Sequence, residues 1–283
     1  MRVALIGAGG QLASDLAPLF PDLVPLQRSD LDITDGERVT QVLDAARPDV
    51  VINTAAYNLV DRAESEPALA YEANAIGPLR LARYCGERNL VLVHFSTDYV
   101  FGLEPPAPLR PWRESDVPVP LSVYGASKLA GELAVRANAT RHFVIRTCGL
   151  YGRAATKAKG NFVQTMLRLA RERPELRVVA DQLCTPTFTR DVARAAARLL
   201  ATEAYGLYHA VNSGECSWYA VAEEAVRLAG LSTPLSPITT AEYPTAAKRP
   251  PYSRLDCAKL EAATGKAMRP WHEALCEYVS ELT

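Results

Sequence analysis

A short apolar run that passes straight into glycines and then into a helical pattern opens the chain. Residues 3–6 read Val-Ala-Leu-Ile, residues 7–10 read Gly-Ala-Gly-Gly, and the helical pattern begins at Gln11. Glycines at such a point let the backbone approach a pyrophosphate, and the helix N-terminus offers it unpaired N–H groups. The spacing therefore predicts a dinucleotide-binding turn, with a purely structural tight turn as the alternative.

Strand and helix patterns then alternate through the first half of the chain. Strands are predicted at 3–6, 23–26, 50–53, 90–95 and 143–146, and helices at 11–20, 37–46, 66–89 and 127–138. This alternation predicts an α/β fold with a doubly wound, parallel Rossmann sheet. We assign residues 1–150 to a dinucleotide-binding domain. Residues 151–283 are assigned mainly to a smaller, discontinuous α/β substrate domain, with elements near 185–212 returning to the first sheet.

Three segments interrupt this alternation. Residues 102–121 are rich in proline and predict a long loop, either functional or a plain surface connection. A turn rich in lysine is expected at 157–160, and residues 234–251 are expected to be mostly irregular. Between them we predict helices at 162–173, 189–202 and 218–229, strands at 177–179 and 207–211, and a helical C-terminus.

Composition excludes several classes of partner. The 283 residues are 48% apolar and carry a net charge of -1, which favours neither nucleic acid nor a membrane surface. No apolar run approaches the roughly 20 residues that span a bilayer. The six cysteines are scattered without a Cys-x-x-Cys pair, which predicts reduced thiols in a cytoplasm, and the four histidines predict no metal site.

The end of the second predicted strand suggests which dinucleotide is bound. NAD sites usually place an acid there, whereas this chain has Arg28, which can pair with a 2′-phosphate. We therefore expect NADPH, with NADH as the alternative and a solvated surface charge as the plain interpretation of Arg28. Asp32 either accepts from the adenine amino group, with Ile33 packed on the ring, or caps the next helix. The small residues at 53–57 leave room for a nicotinamide ribose.

Tyr124 and Lys128 lie four residues apart, which places them on one face of a helix. A phenol with a pKa of about 10 is a slow acid at neutral pH, and a nearby ammonium lowers that pKa. We therefore expect Lys128 to make Tyr124 a better proton donor. Ser96 and Thr97 end the buried strand before them, and these hydroxyls either donate to a substrate oxygen or cap the next turn.

Many runs of this chain occur in the order found in one known family. They are residues 7–12, 47–53, 55–57, 60–64, 94–101, 124–132, 146–147, 161–162, 181–182, 185–187, 249–250 and 253–255. With these runs the chain resembles the extended short-chain dehydrogenase/reductases, and within them the dTDP-4-dehydrorhamnose reductases. The resemblance covers nearly the whole length. It implies reduction of the C4 ketone of a dTDP-4-keto-6-deoxy sugar.

The resemblance also implies roles for the matching positions. Tyr124 would protonate the ketone oxygen, Lys128 would hold the nicotinamide ribose, and Thr97 would complete the catalytic triad. Together with Arg28, which was predicted above from the end of the second strand, the cofactor-binding residues are Gly7, Gly10, Gln11, Leu12, Asp32, Ile33, Ala55, Ala56, Tyr57, Tyr124 and Lys128. The predicted substrate-binding residues are Thr97, Asp98, Tyr99, Asn161, Gln182, Arg249 and Arg254.

Two positions depart from the family pattern. Members commonly read Ser-Trp after the strand ending at Thr147, where this chain reads Cys148-Gly149, and Cys184 stands where a glycine is common. The tryptophan is expected to flank the sugar. We therefore predict that Gly149 leaves the pocket wider and without that ring.

Two other functions stay open on sequence grounds, a related sugar-nucleotide reductase or epimerase and a non-catalytic regulatory subunit of the same fold. Dehydratases of the superfamily carry Asp-Glu after Ser-Thr, and Tyr99 in place of the glutamate argues against elimination of water. Family members are often dimers, some with a metal at the interface. We therefore keep a homodimer as a prediction, with a nucleotide sugar as the partner and no metal.

Overall fold

The fold was analysed in a computed structural model of the protein, which describes residues 1–102, 105–154 and 160–282. The strands are β1 Val3–Ile6, β2 Leu23–Leu26, β3 Val50–Asn53, β4 Val91–Thr97, β5 His142–Thr147, β6 Leu176–Val179, β7 Leu183–Cys184, β8 Gly206–His209, β9 Cys216–Ser217 and β10 Leu235–Ile238. The helices are α1 Gln11–Leu16, α2 Gly36–Ala46, α3 Val60–Ala63, α4 Pro67–Tyr71, α5 Gly77–Glu87, α6 Val123–Asn138, α7 Phe162–Glu172, α8 Thr189–Leu200, α9 Trp218–Leu228, α10 Ala258–Thr264 and α11 Trp271–Ser280. A π-helical turn, Glu72–Ile76, joins α4 to α5, and a 3-10 turn, Asp98–Val100, follows β4.

Six parallel strands form the central sheet, in the order β2-β1-β3-β4-β5-β8. The predicted α/β fold with a parallel Rossmann sheet is therefore confirmed. β1 pairs with β2 on one side and β3 on the other, so the direction of winding reverses between β1 and β3. Ligands of open α/β sheets bind at the carboxyl edge of such a switch point. Gly7 follows β1 and Thr54 follows β3, so both lie at this edge.

Helices cover both faces of the sheet, as buried parallel strands require. On one face α1, α8 and α10 pack through apolar side chains that include Leu16, Leu199 and Leu260. On the other face α2, α5 and α6 contribute Leu43, Leu81 and Val135. All four residues of β1 and of β3 are buried, which explains why neither strand alternates between apolar and polar residues.

A second, smaller core lies beyond the carboxyl edge of the sheet. It is built from α7, α9 and α11 packed with β6, and its centre includes Leu167, Val178, Val221 and Leu275. β6 pairs with β10 in parallel, and β7 pairs with β9 in antiparallel. The prediction that 234–251 is mostly irregular is confirmed, although the stretch also holds β10, whose Pro237 lies in a strand of a two-stranded sheet, where proline is tolerated.

The proline-rich segment is anchored to the core rather than free on the surface. Trp112 is 7% exposed and stacks on Phe101, with ring centroids 4.5 Å apart. Arg110 makes a bidentate ion pair with Asp116 at 2.7 and 2.8 Å, which closes the loop on itself. Of the predicted turn at 157–160, residues 157–159 lie outside the described residues.

Within the described ranges, none of the helices is both long and apolar enough to cross a membrane.

Candidate active site

The glycine turn after β1 accepts only glycine at its first position. Gly7 has a φ of +79°, and a Cβ there would lie 2.8 Å from both the Ala55 nitrogen and the Thr54 hydroxyl. A Cβ at Gly9 would meet nothing within 4 Å, so space remains outside the turn. Gln11 donates from Nε2 to the Leu150 carbonyl at 3.0 Å, while its buried Oε1 has no hydrogen-bond partner among the described residues. Open space beside a buried oxygen that lacks a hydrogen-bond donor in the described part of the chain fits a ligand that carries hydroxyl groups.

Arg28 lies two residues after the end of β2, next to the second strand as the sequence predicted. Its side chain is 87% exposed, and its Nε lies 3.0 Å from an Asp32 carboxylate oxygen. Burial acts to raise the pKa of Asp32, but hydrogen bonds from Thr34 and Arg28 hold it below the usual value. Asp32 does not cap the following helix, because Asp35 does so by accepting from the Arg38 nitrogen at 3.0 Å. The capping alternative for Asp32 was therefore wrong.

Ile33, predicted to pack on the adenine ring, is 4% exposed and belongs to the core beneath α5. A Cβ at Gly77 would lie 2.6 Å from its side chain, so the start of α5 sits directly on Ile33. Leu12 is likewise buried, at 5% exposed. Both residues therefore shape the floor of the turn region from the core side.

The segment after β3 is held by hydrogen bonds to Asn53 at the end of β3 and to Glu66 before α4. Asn53 accepts from the Ala55 nitrogen at 3.1 Å and lies 3.1 Å from Nδ1 of buried His94 on β4. The Tyr57 hydroxyl donates to Glu66 at 2.6 Å. Ala56 is exposed beside them. This network fixes the backbone of residues 55–57 at the switch point.

Asn74 was missed by sequence reasoning, although it ties that segment to α6. Its amide oxygen accepts from the Tyr57 nitrogen at 2.8 Å, and its Nδ2 donates to the Tyr57 carbonyl at 2.9 Å and to the Ser127 hydroxyl at 3.0 Å. Asn74 lies in the π-helical turn, and a Cβ at Gly131 would lie 2.1 Å from its carbonyl. π-helical turns often occur at functional sites. The only signal in the sequence was an asparagine inside a helical pattern.

α6 begins four residues before the predicted start at 127, because two side chains cap it. The Ser122 hydroxyl accepts from the Gly125 nitrogen at 3.1 Å, and a Glu64 oxygen accepts from the Val123 nitrogen at 2.9 Å. The cap places Tyr124 in the first turn of the helix, at the carboxyl edge of the sheet.

A buried ion pair holds α6 on β5. Arg146 donates to the two carboxylate oxygens of Glu132 at 2.9 and 2.7 Å, and their side chains are 1% and 0% exposed. Removing one partner of such a pair leaves an uncompensated buried charge. The pair therefore sets the position of the helix that carries Tyr124 and Lys128.

Thr97, Asp98 and Tyr99 lie at the end of β4, next to Tyr124. Thr97 accepts from the Tyr99 nitrogen at 3.2 Å, so it does cap the 3-10 turn. The Thr97 hydroxyl also donates to an Asp98 oxygen at 3.1 Å, and the ring of Tyr124 lies edge-on to Tyr99 with centroids 5.9 Å apart. Burial raises the pKa of Asp98 to about 6, which hydrogen bonds from Ser253 and others only partly offset. The capping alternative for the Thr97 hydroxyl is therefore confirmed, and its donation to a substrate oxygen stays a prediction.

The expected lowering of the Tyr124 pKa is absent. Burial raises the pKa of Tyr124 to about 12, against the opposing effect of the neighbouring Thr97 hydroxyl. Lys128 is 3% exposed and donates from Nζ to the Phe95 carbonyl at 2.6 Å. Burial also lowers the pKa of Lys128 to about 8. The prediction was wrong for the protein alone, because burial and the charge of Asp98 raise the pKa of Tyr124.

A cavity of about 860 Å³ opens beside Tyr99 and extends over the second core. Gln182 and Arg249 line it with Tyr99, so three of the predicted substrate-binding residues share one space. Arg249 pairs with Asp61 at 2.8 Å, and Gln182 donates to the Thr240 hydroxyl at 3.0 Å. Further arginines, Arg173 and Arg177, also line it.

Asn161 and Arg254 are not among the residues that line this cavity. Asn161 caps α7 by accepting from the Gln164 nitrogen at 3.0 Å, and its Nδ2 donates to the Tyr278 hydroxyl at 2.8 Å. Arg254 lies 3.3 Å from a Glu215 oxygen. The family resemblance placed these two residues in the predicted set. In the structure they do not line the cavity that Gln182 and Arg249 share.

The prediction of a wider pocket at Gly149 was wrong. Gly149 has a φ of +48°, and a Cβ there would lie 2.8 Å from Cη2 of Trp218. The indole of Trp218, the first residue of α9, therefore fills the space beside this glycine. Sequence reasoning missed Trp218 because it lies 69 positions further along the chain.

No group of three or more potential metal ligands occurs among residues 1–102, 105–154 and 160–282.

The sheet, the glycine turn and the neighbouring Tyr124 and Lys128 define a member of the short-chain dehydrogenase/reductase class. The family model described as the RmlD substrate binding domain matches residues 1–283, and the chain belongs to this family. The family predicted from the sequence motifs is therefore confirmed.

Three similar proteins illustrate the relationship. A dTDP-4-dehydrorhamnose reductase of Aggregatibacter actinomycetemcomitans is 40% identical over 97% of this chain and 97% of its own. The spore coat polysaccharide biosynthesis protein SpsK of Bacillus subtilis is 38% identical over 99% and 97%. A crystal structure of dTDP-4-dehydrorhamnose reductase from Bacillus anthracis in complex with NADP superposes with a TM-score of 0.93, at 38% identity and 99% coverage of both chains.

Proposed function

We propose that this protein reduces the C4 ketone of a dTDP-4-keto-6-deoxy sugar with NADPH, converting dTDP-4-dehydrorhamnose to dTDP-L-rhamnose. One observation carries the proposal: Tyr124, in the first turn of α6, packs edge-on against Tyr99 with ring centroids 5.9 Å apart, and Tyr99 lines the 860 Å³ cavity. The relatives named dTDP-4-dehydrorhamnose reductase support the substrate, and the NADP complex of one of them supports the cofactor.

The residues at the switch point fit NADPH. Gly7 and Gly10 would let the pyrophosphate approach the N–H groups in the first turn of α1, and the unpartnered Oε1 of Gln11 would accept from a ribose hydroxyl of the cofactor. The exposed guanidinium of Arg28 would bind the 2′-phosphate, with Asp32 holding it in place at 3.0 Å. Residues 55–57 would line the nicotinamide ribose, and Lys128 would turn from the Phe95 carbonyl to its hydroxyls.

NADPH, when bound, supplies the hydride that reduces the ketone carbon. Tyr124 gives its phenolic proton to the ketone oxygen, and Thr97 donates to the same oxygen to orient it. In the protein alone the Tyr124 pKa is raised by burial, so the neutral phenol is the resting form. Lys128, with its charge nearby, stabilises the phenolate formed after the proton leaves.

The cavity is where we place the nucleotide sugar. Arg249 and Arg173 offer guanidinium groups to the diphosphate, and Gln182 offers an amide to the base or sugar. This arrangement supports two separate binding regions. Residues 1–150, together with α8 and β8, would bind the dinucleotide. The remainder would bind the sugar nucleotide. The free cysteines support a reducing compartment, and we propose the cytoplasm.

Steady-state oxidation of NADPH with dTDP-4-keto-6-deoxy-L-mannose tests the proposal. We expect turnover that depends on both substrates, with dTDP-L-rhamnose as the product identified by mass and NMR. Interconversion of dTDP-sugars without net NADPH consumption would show an epimerase instead. Tight NADPH binding without turnover of keto-sugar nucleotides would show a regulatory subunit.

A further inference from the structure

Trp218 occupies an unusual position between the reaction centre and the cavity. Its Cη2 fills the place where a Cβ at Gly149 would stand, and its ring lines the same cavity as Tyr99 and Arg249. It also packs on Phe162, with ring centroids 4.7 Å apart and planes inclined by 59°. The indole therefore has one edge against the carboxyl end of the sheet and another surface open to the cavity.

The residues around Gly149 locate the edge of that indole relative to the chemistry. Gly149 follows β5 by two residues, and Thr147 at the end of β5 is in register with Thr97. Cys148, between Thr147 and Gly149, is buried at 3% exposed. The tip of Trp218 is thus near the ends of β4 and β5, where Tyr99 packs on the proton donor Tyr124 of α6.

Gly149 and Trp218 depend on each other sterically. Any side chain at 149 would approach Trp218 at 2.8 Å and the Pro186 backbone at 3.2 Å, and the positive φ disfavours other residues as well. Trp218 is itself fixed, because it begins α9 after the Ser217 cap and packs against Phe162. A rigid aromatic surface of this kind suits the apolar face and 6-methyl group of a deoxy sugar.

We propose that Trp218 is a specificity-determining residue that forms the wall of the sugar subsite, and that Gly149 is required because it admits the indole. This inference rests on the proposed function for the identity of the sugar. It predicts that Trp218 contributes to binding of the sugar of the nucleotide sugar and not to binding of the nucleoside diphosphate.

Calorimetric titration of dTDP-L-rhamnose and of dTDP, each with NADPH present, tests this inference without turnover. In Trp218→Phe the Kd for dTDP-L-rhamnose is expected to rise about three- to tenfold, the equivalent of one lost aromatic contact. The Kd for dTDP should not change. Trp271→Phe, in α11 and outside the residues that line the cavity, is the matched control and should change neither. An unchanged NADPH affinity shows that each variant is folded.

A double-mutant cycle tests the steric dependence. Gly149→Ala should weaken dTDP-L-rhamnose binding in the wild-type background, because the indole must move. The same change should weaken it less in Trp218→Phe, which lacks the atom that collides. Strictly additive effects would overturn the role given to Gly149.

The outcomes separate this inference from the proposed function. Equal losses for dTDP and dTDP-L-rhamnose, or none, in Trp218→Phe would overturn the inference even if the wild type reduces the keto-sugar. A wild type that does not reduce it, but binds dTDP-L-rhamnose through Trp218, would overturn the proposed function and support the inference.

Discussion

Replacing Gly125 by alanine should damage catalysis much more than stability. A Cβ at Gly125 would lie 2.3 Å from the Tyr99 carbonyl oxygen and 3.0 Å from Pro120, whereas ordinary contacts begin at 3.4 Å. The 3-10 turn and α6 must therefore separate by about 1.1 Å. This shift falls between Tyr124 on the helix and Thr97 and Tyr99 on the turn.

The magnitude follows from that displacement. A misplacement of about 1 Å between catalytic groups and substrate lowers kcat by roughly 100-fold. Overpacking costs about 1–3 kcal/mol, and alanine in a helix returns about 0.5–1 kcal/mol relative to glycine, so stability should fall by no more than ~2.5 kcal/mol. NADPH affinity should change little, because the first turn of α1 does not touch Gly125.

The assay compares kcat, the KM values and the thermal midpoint of Gly125→Ala with those of Gly36→Ala. At Gly36 a Cβ would meet only the flexible end of Arg80 at 3.3 Å, so that control should retain full activity. A Gly125→Ala enzyme with kcat within about threefold of the wild type would refute the view that this close approach sets the catalytic geometry.

Three further predictions concern individual side chains. Tyr124→Phe should lower kcat by about 10²–10⁴-fold, with NADPH affinity by titration unchanged, and near-normal turnover would exclude Tyr124 as the acid. Arg28→Ala should weaken NADPH binding but not NADH binding, and equal losses would remove the phosphate-binding role. Burial raises the folded-state pKa of Asp98 to about 6, above its unfolded value, so its contribution to stability is full below pH ~4 and is lost as pH rises through 6. Between pH 4 and 7 this effect should lower the free energy of unfolding, measured with denaturant, by ~3 kcal/mol, and Asp98→Asn should abolish that decrease. A variant with the same pH dependence as the wild type would contradict the assignment.

The sheet was predictable because its strands are short, apolar and separated by helical patterns. The runs at 3–6 and 50–53 match β1 and β3, since burial on both faces leaves little else that such runs can form. The run at 23–26 matches β2, which is a partly exposed edge strand that tolerates Pro25. The two-residue strands β7 and β9 were not predictable, because they exist only through pairing with each other.

The parts of the candidate site that depend on residues close together in the sequence were predictable. The turn at Gly7 and the pair Tyr124 and Lys128 needed only neighbouring residues. The raised pKa of Tyr124 depended instead on burial by distant segments. Trp218 beside Gly149 was likewise beyond prediction, because only folding brings α9 to the end of β5.

The last strand of the sheet has a consequence for synthesis of the protein. β8 pairs with β5, yet 58 residues separate the end of β5 from the start of β8. The edge of β5 therefore stays unpaired during synthesis until residues 206–209 emerge from the ribosome. Such an unpaired edge can pair with other nascent chains. A fragment ending near residue 150 should accordingly aggregate, so separate expression of the nucleotide-binding half is a poor route to crystals or assays.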